Sequence, residues 1–107
     1  MIELLARLLV AHFVCDYPLQ GDFLAKAKNG AQPIPGVPWQ WAMLAHCSIQ
    51  AGGVWFATGS WIVALLEFVA HWVIDCAKCN GLLTFGQDQF AHVGCKVLWA
   101  VVVVVPL

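Results

Sequence analysis

The chain has 107 residues, room for one domain, and 62% of them are hydrophobic against 10% charged. Soluble proteins run at roughly 45–50% and about 25%, so the charged shell of an ordinary small water-facing domain is excluded. A formal charge of −1 without a basic stripe excludes nucleic acid as an expected partner.

Four apolar segments follow in chain order, at residues 2–19, 39–58, 61–79 and 88–106. Each approaches the roughly 20 residues that span a hydrocarbon core about 30 Å thick, and backbone in lipid must satisfy itself as helix. The composition and these lengths predict an all-α polytopic membrane protein, a four-helix transmembrane bundle forming one domain over residues 1–107. In segment one, Glu3 and Arg7 are spaced to pair across one helical turn. The connection from Gln20 to Pro38 is the one long link. It carries Lys26 and Lys28 and then three prolines in six residues, which predicts an extended spacer. Thr58-Gly59-Ser60 predicts a tight hairpin between segments two and three. Asn80-Gly81 predicts a helix stop, and Thr84 to Gln87 a capping box.

With four spans, the first and third connections share a side, which holds Lys26, Lys28 and Lys78. The hairpin opposite is uncharged. The positive-inside rule then predicts an inner-membrane protein with both termini periplasmic, membrane lipids as surroundings, and a homo-oligomer or another membrane protein as partner. Glu3 ahead of Arg7, and the lack of a small-x-small cleavage site, predict no signal peptide. Five cysteines, an odd number, exclude a fully paired disulfide framework, and Cys76-x-x-Cys79 stands without a second pair.

Chemistry enters through one repeated spacing. Segment one has His12-x-x-x-Asp16, segment three Glu67-x-x-x-His71-x-x-x-Asp75, and segment four Asp88-x-x-x-His92; segment two adds His46. Residues four apart share a helix face. Counted from the lysine-bearing ends, Asp16, Asp75 and Asp88 lie about one turn in. The four histidines lie about two turns in, roughly 10–12 Å deep, and Glu67 is one turn deeper. Imidazole and carboxylate together hold divalent metals, zinc first, so His12, Asp16, His46, His71, Asp75 and His92 are the expected ligands. Glu67 and Asp88 are the expected general-base candidates. The plainer alternatives are a buried hydrogen-bond network, Asp88 as an N-cap, and Asp16 and Asp75 as interfacial charges. Gln20 and Gln89 can extend either arrangement.

The stretches Ala11-His12-Phe-Val-Cys-Asp16-Tyr-Pro-Leu-Gln20, Leu66-Glu67-Phe-Val-Ala-His71-Trp-Val-Ile-Asp75-Cys-Ala-Lys78 and Asp88-Gln89-Phe-Ala-His92 resemble the family catalogued as domain of unknown function 3307. His46 falls where that family's second helix carries a histidine. The resemblance implies a small multi-helix membrane protein of bacteria or their phages, with no established activity. Three functions follow as expectations. One is a metal-dependent hydrolase acting on a membrane substrate. The others are a proton- or cation-handling module and an envelope interaction protein with a structural polar core.

Overall fold

The computed structural model describes residues 1–105. Five helices make up the chain: α1 (Ile2–Asp16), α2 (Gly21–Ala27), α3 (Trp39–Thr58), α4 (Trp61–Cys79) and α5 (Phe85–Val104). The four long helices form a ring in which α1 packs on α3, α3 on α4, α4 on α5, and α5 back on α1; α2 lies against α3. The bundle measures 46 × 24 × 23 Å.

Local chemistry sets the boundaries. Pro18 has no N–H to continue the helix and clashes with the preceding turn, so α1 ends at Asp16 rather than at residue 19. Gly59 takes φ 73°, and its N–H caps the Trp55 carbonyl to close α3; the Ser60 side chain then accepts from Val63 N to open α4. α5 starts with the Thr84–Gln87 capping box, three residues ahead of the span read from the sequence. Thr84 is therefore the N-cap, and Asp88 is left free on the first turn of α5. Pro106, the last residue of that predicted span, lies outside the described residues.

The long connection is not a plain spacer. Residues 21–27 form α2, and the prolines come only after an Asn29 turn, where Asn29 Oδ1 accepts from Ala31 N and Gln32 N. Gly30 is required at that turn. A Cβ there would lie 2.8 Å from the Trp39 ring, which packs directly on the Gly30 backbone.

The membrane expectation is overturned. Among the described residues, no helix is long and apolar enough to cross a membrane. α1, at 15 residues, reaches only about 22 Å. The longer helices are each interrupted by a polar face: His46 and Gln50 on α3, Glu67, His71 and Asp75 on α4, and Asp88, His92 and Lys96 on α5. The four-span membrane bundle, its inner-membrane placement and its periplasmic termini therefore have no support. Average hydrophobicity misled because the polar residues of each helix fall on a single face.

That face points inward. The buried residues of each helix recur at spacings of three and four, and they sort into two halves along the bundle axis. At the α3–α4 hairpin end, Leu8, Val54, Ala57, Val63, Trp99 and Ala100 form an apolar cluster. Toward the α2 end the buried polar side chains are His12, His46, Gln50, Glu67, His71, Asp75, Asp88, His92 and Lys96, with Met43 and Cys47 buried besides. Many large apolar residues are exposed on the outside, Phe56 and Phe90 the most fully among the aromatics.

Candidate metal centre

All four histidines converge in the polar half, each with no more than 1% of its surface exposed. The centre is a tight knot of donor atoms from four helices, α1, α3, α4 and α5. His46 Nε2 on α3 lies 3.0 Å from His71 Nε2 on α4. It also lies 3.3 Å from Asp75 Oδ2 and 3.5 Å from Asp16 Oδ1. His71 Nε2 in turn is 3.4 Å from Asp75 Oδ2. His92 on α5 stacks on His71 with ring centroids 4.0 Å apart, and its Nε2 sits 3.0 Å from the other Asp75 oxygen, Oδ1.

Two groups of three can hold a metal ion: Asp16, His46 and His71, and His71, Asp75 and His92. These five are all among the six ligands expected from the sequence. The sixth, His12, does not join either group. Its Nε2 lies 3.2 Å from Gln89 Oε1, and the Gln89 amide donates at 3.1 Å to both Asp16 Oδ2 and Asp88 Oδ2. His12 therefore donates to Gln89 and reaches the carboxylates through it. No cysteine belongs to either group. Cys15 Sγ faces the Ile49 carbonyl at 3.6 Å, and burial pushes the Cys47 thiol up to about 12, far from the thiolate a metal needs.

The surrounding residues fix the donors. Glu67 accepts from His71 Nδ1 at 3.3 Å, so the proton of that imidazole sits on Nδ1 and its Nε2 lone pair faces the cluster. The same carboxylate accepts from Lys96 Nζ and, at 2.8 Å, from Trp99 Nε1. Burial opposes ionisation of Glu67, but the His71 and Lys96 bonds outweigh it and hold the group down at about 2. Asp16 accepts from Gln50 Nε2 at 3.1 Å, and Asp75 from Lys28 Nζ at 2.7 Å. Lys28 is placed there as the C-cap of α2.

The electrostatics follow from these contacts. Burial again disfavours the charged forms of Asp16 and Asp75. Hydrogen bonds from His46 and Gln89 to the first, and from His46, His71 and His92 to the second, bring both well below the ordinary carboxylate range. His92 moves the other way: burial lowers it, but Asp75 and Asp88 win and raise it to about 9. His46 is raised by Asp16 and Asp75 against the same burial cost. His12 is lowered, by burial first and the Lys96 ammonium second. Four carboxylates (Asp16, Glu67, Asp75, Asp88) face two lysines (Lys28, Lys96), which leaves a formal charge of −2 with neutral imidazoles. Two protons or one divalent cation balance it.

The cluster is reached from the α2 side. A cleft of about 450 Å³, within the usual range for a small-molecule site, opens between α2 and the ends of α1, α4 and α5. Asp16, Asp75, Asp88, Gln89, Lys28 and Gln20 contribute to its wall. Sequence reasoning found the histidine and aspartate layers but missed Gln50, Lys28, Lys96 and Trp99 as members. Gln50 was within reach, since it lies four residues from His46 on the same face of α3.

No curated protein and no solved structure matches the chain. A family model matches residues 4–106, nearly the whole length, and includes every residue of the cluster. The chain therefore belongs to the family described as protein of unknown function (DUF3307).

Proposed function

We propose that the chain binds a divalent metal, zinc by preference, and uses it for hydrolysis of a small substrate that enters the polar cleft. One observation carries this reading: three donor atoms from two helices already stand at the mutual spacing of three corners of a tetrahedral site, with a fourth, from α1, at the same spacing from one of them. At metal–ligand distances of about 2.0–2.2 Å, the donors around zinc sit roughly 3.3–3.5 Å apart. His46 Nε2, His71 Nε2, Asp75 Oδ2 and Asp16 Oδ1 lie at 3.0, 3.3, 3.4 and 3.5 Å across the four edges measured. Two imidazoles among the donors disfavour magnesium and calcium, which take oxygen ligands.

A divalent ion there supplies Lewis acidity and brings the pKa of a coordinated water down to about 7. The chain's own residues do the rest. Glu67 fixes the tautomer of His71 and keeps it aimed. Gln50 and Gln89 hold Asp16 in place. Lys28 places a positive charge at the inner wall of the cleft, where an anionic group of a substrate would lie. Asp88 faces the cleft and suits the general-base role expected for it. Glu67, with His71, Lys96 and Trp99 all bonded to its two oxygens, is an orienting carboxylate rather than a base.

One contact favours a second reading, a metal-free structural network: Lys28 Nζ already neutralises Asp75 Oδ2 at 2.7 Å. The two readings separate in a single experiment. Metal content is measured on tag-free chain purified without chelator, alongside Lys28→Met and His46→Gln variants, with turnover of an activated ester and a phosphodiester as readouts. The metal reading expects bound zinc lost in His46→Gln, equal or tighter binding in Lys28→Met, and metal-dependent turnover. A metal-free wild type destabilised by Lys28→Met would establish the structural network instead.

A further inference from the structure

We infer that the cluster takes a second metal ion beside the first, with Asp75 bridging the two through its separate oxygens. This rests on the metal-binding reading above and adds an ion to it. The two metal-competent groups share His71, yet His71 has one lone pair to give, because its Nδ1 faces Glu67. It can serve only one ion. With His71 committed to the site that contains His46 and Asp16, the His92 side needs another donor.

Asp88 provides it. Its Oδ1 is buried and makes no hydrogen bond among the described residues, yet it lies 3.3 Å from His92 Nε2. His92 Nε2 is also 3.0 Å from Asp75 Oδ1, while the partner oxygen Asp75 Oδ2 belongs to the first site. The second set is thus His92 Nε2, Asp75 Oδ1 and Asp88 Oδ1. These are three protein donors beside the cleft, which leaves a position open to water or substrate, the arrangement that suits a reactive site. A carboxylate shared between two ions sets them at the roughly 3.5–4 Å separation of two-metal hydrolytic sites. Gln89 holds the outer Asp88 oxygen, Oδ2, and so turns Oδ1 inward.

Charge gives the substrate class. Two dications against Asp16, Asp75 and Asp88 leave one positive charge, and Lys28 adds another beside the cleft. Such a site recognises an anionic substrate, of which a phosphate ester is the simplest.

The test is stoichiometry with spectroscopy on the full chain. Metal-free protein, with Cys76 and Cys79 replaced by serine to remove thiolate binding, is titrated with zinc by calorimetry. It is also loaded with manganese for electron paramagnetic resonance. Two equivalents of zinc and a spin-coupled manganese pair are expected, with Asp88→Asn and His92→Gln each falling to one equivalent and an uncoupled signal. One equivalent in the parent chain overturns the second ion and leaves the first standing, whereas none overturns both. Two equivalents in folded Asp88→Asn, checked by circular dichroism, overturn the assignment of the second site.

Discussion

Replacing Lys96 with methionine tests how the site is held. Lys96 is fully buried, and its ammonium meets Glu67, which is itself 1% exposed. Methionine fills much of the same space without the charge, so the variant leaves a buried carboxylate with only the Trp99 and His71 N–H groups. Breaking a buried pair in this way costs about 3–5 kcal/mol. The depression of Glu67 to about 2, in which burial is outweighed by the His71 bond first and Lys96 next, runs in the same direction. Its sign is that of a lowered carboxylate: the contribution is present above the unfolded pKa and is lost as pH falls toward 2. At roughly 4 °C per kcal/mol for a chain of this size, Lys96→Met should lower Tm by about 10–20 °C. Thermal unfolding followed by circular dichroism, near neutrality and with excess chelator, measures it. Glu67→Gln should cost a comparable amount, and the double variant clearly less than the two together, because the pair is lost as a unit. A Lys96→Met chain that melts within ~2 °C of wild type would refute the ion pair as a structural element.

Four further outcomes are expected. Zinc binding should release at least one proton per ion near neutrality, since His92 is raised to about 9 and His46 is also raised; calorimetry in buffers of different ionisation enthalpy reads this, and no release would contradict it. Without metal, a raised histidine stabilises below its unfolded pKa of about 6.5, so chelated protein should lose stability as pH climbs from there toward 9. Gly30→Ala should destabilise by about 1–3 kcal/mol in denaturant titration, because the added Cβ meets the Trp39 ring at 2.8 Å; an unchanged midpoint would mean that the turn yields freely. Ala25→Trp, which narrows the cleft, should slow zinc association in stopped-flow mixing while Ile62→Trp at the opposite end leaves it unchanged; equal rates would place the entrance elsewhere.

Helix periodicity made the site legible. Three His/carboxylate pairs spaced four apart, read for depth, put the aspartates above the histidines and Glu67 below them; in the structure the aspartates line the cleft, and the histidines and Glu67 are buried. The Gly59 hairpin, the Asn80-Gly81 stop and the Thr84–Gln87 box are short-range signals, and each stands where local chemistry put it. Lys28 and Lys96 escaped because a lysine read in isolation is a solvated charge. What makes each of them internal is a carboxylate 47 or 29 residues away. Trp99 escaped for a similar reason, since its bulk marks it as core while its indole N–H answers to Glu67. α2 was hidden by the prolines that follow it. The membrane reading failed on averaging: a hydropathy total does not register that a helix keeps its polar residues on one side.

That one-sidedness also bears on what the cluster is for. A path for protons or cations needs polar groups at both ends, and among the described residues the buried polar groups stop at Glu67 and Lys96. Beyond them Trp99 begins an apolar plug with Leu8, Val54, Ala57, Val63 and Ala100, all within 7% exposure. The plug does two things at once. It keeps water from the inner face of Glu67, which strengthens the bonds that aim His71. It also leaves the cleft beside α2 as a polar approach to the cluster. A cleft with donors at its base, a lysine at its wall and an apolar plug behind it offers no polar path onward among the described residues. Under the proposed reading it would hold a substrate in place for reaction, and this is the physical reason we prefer hydrolysis over transport for the cluster.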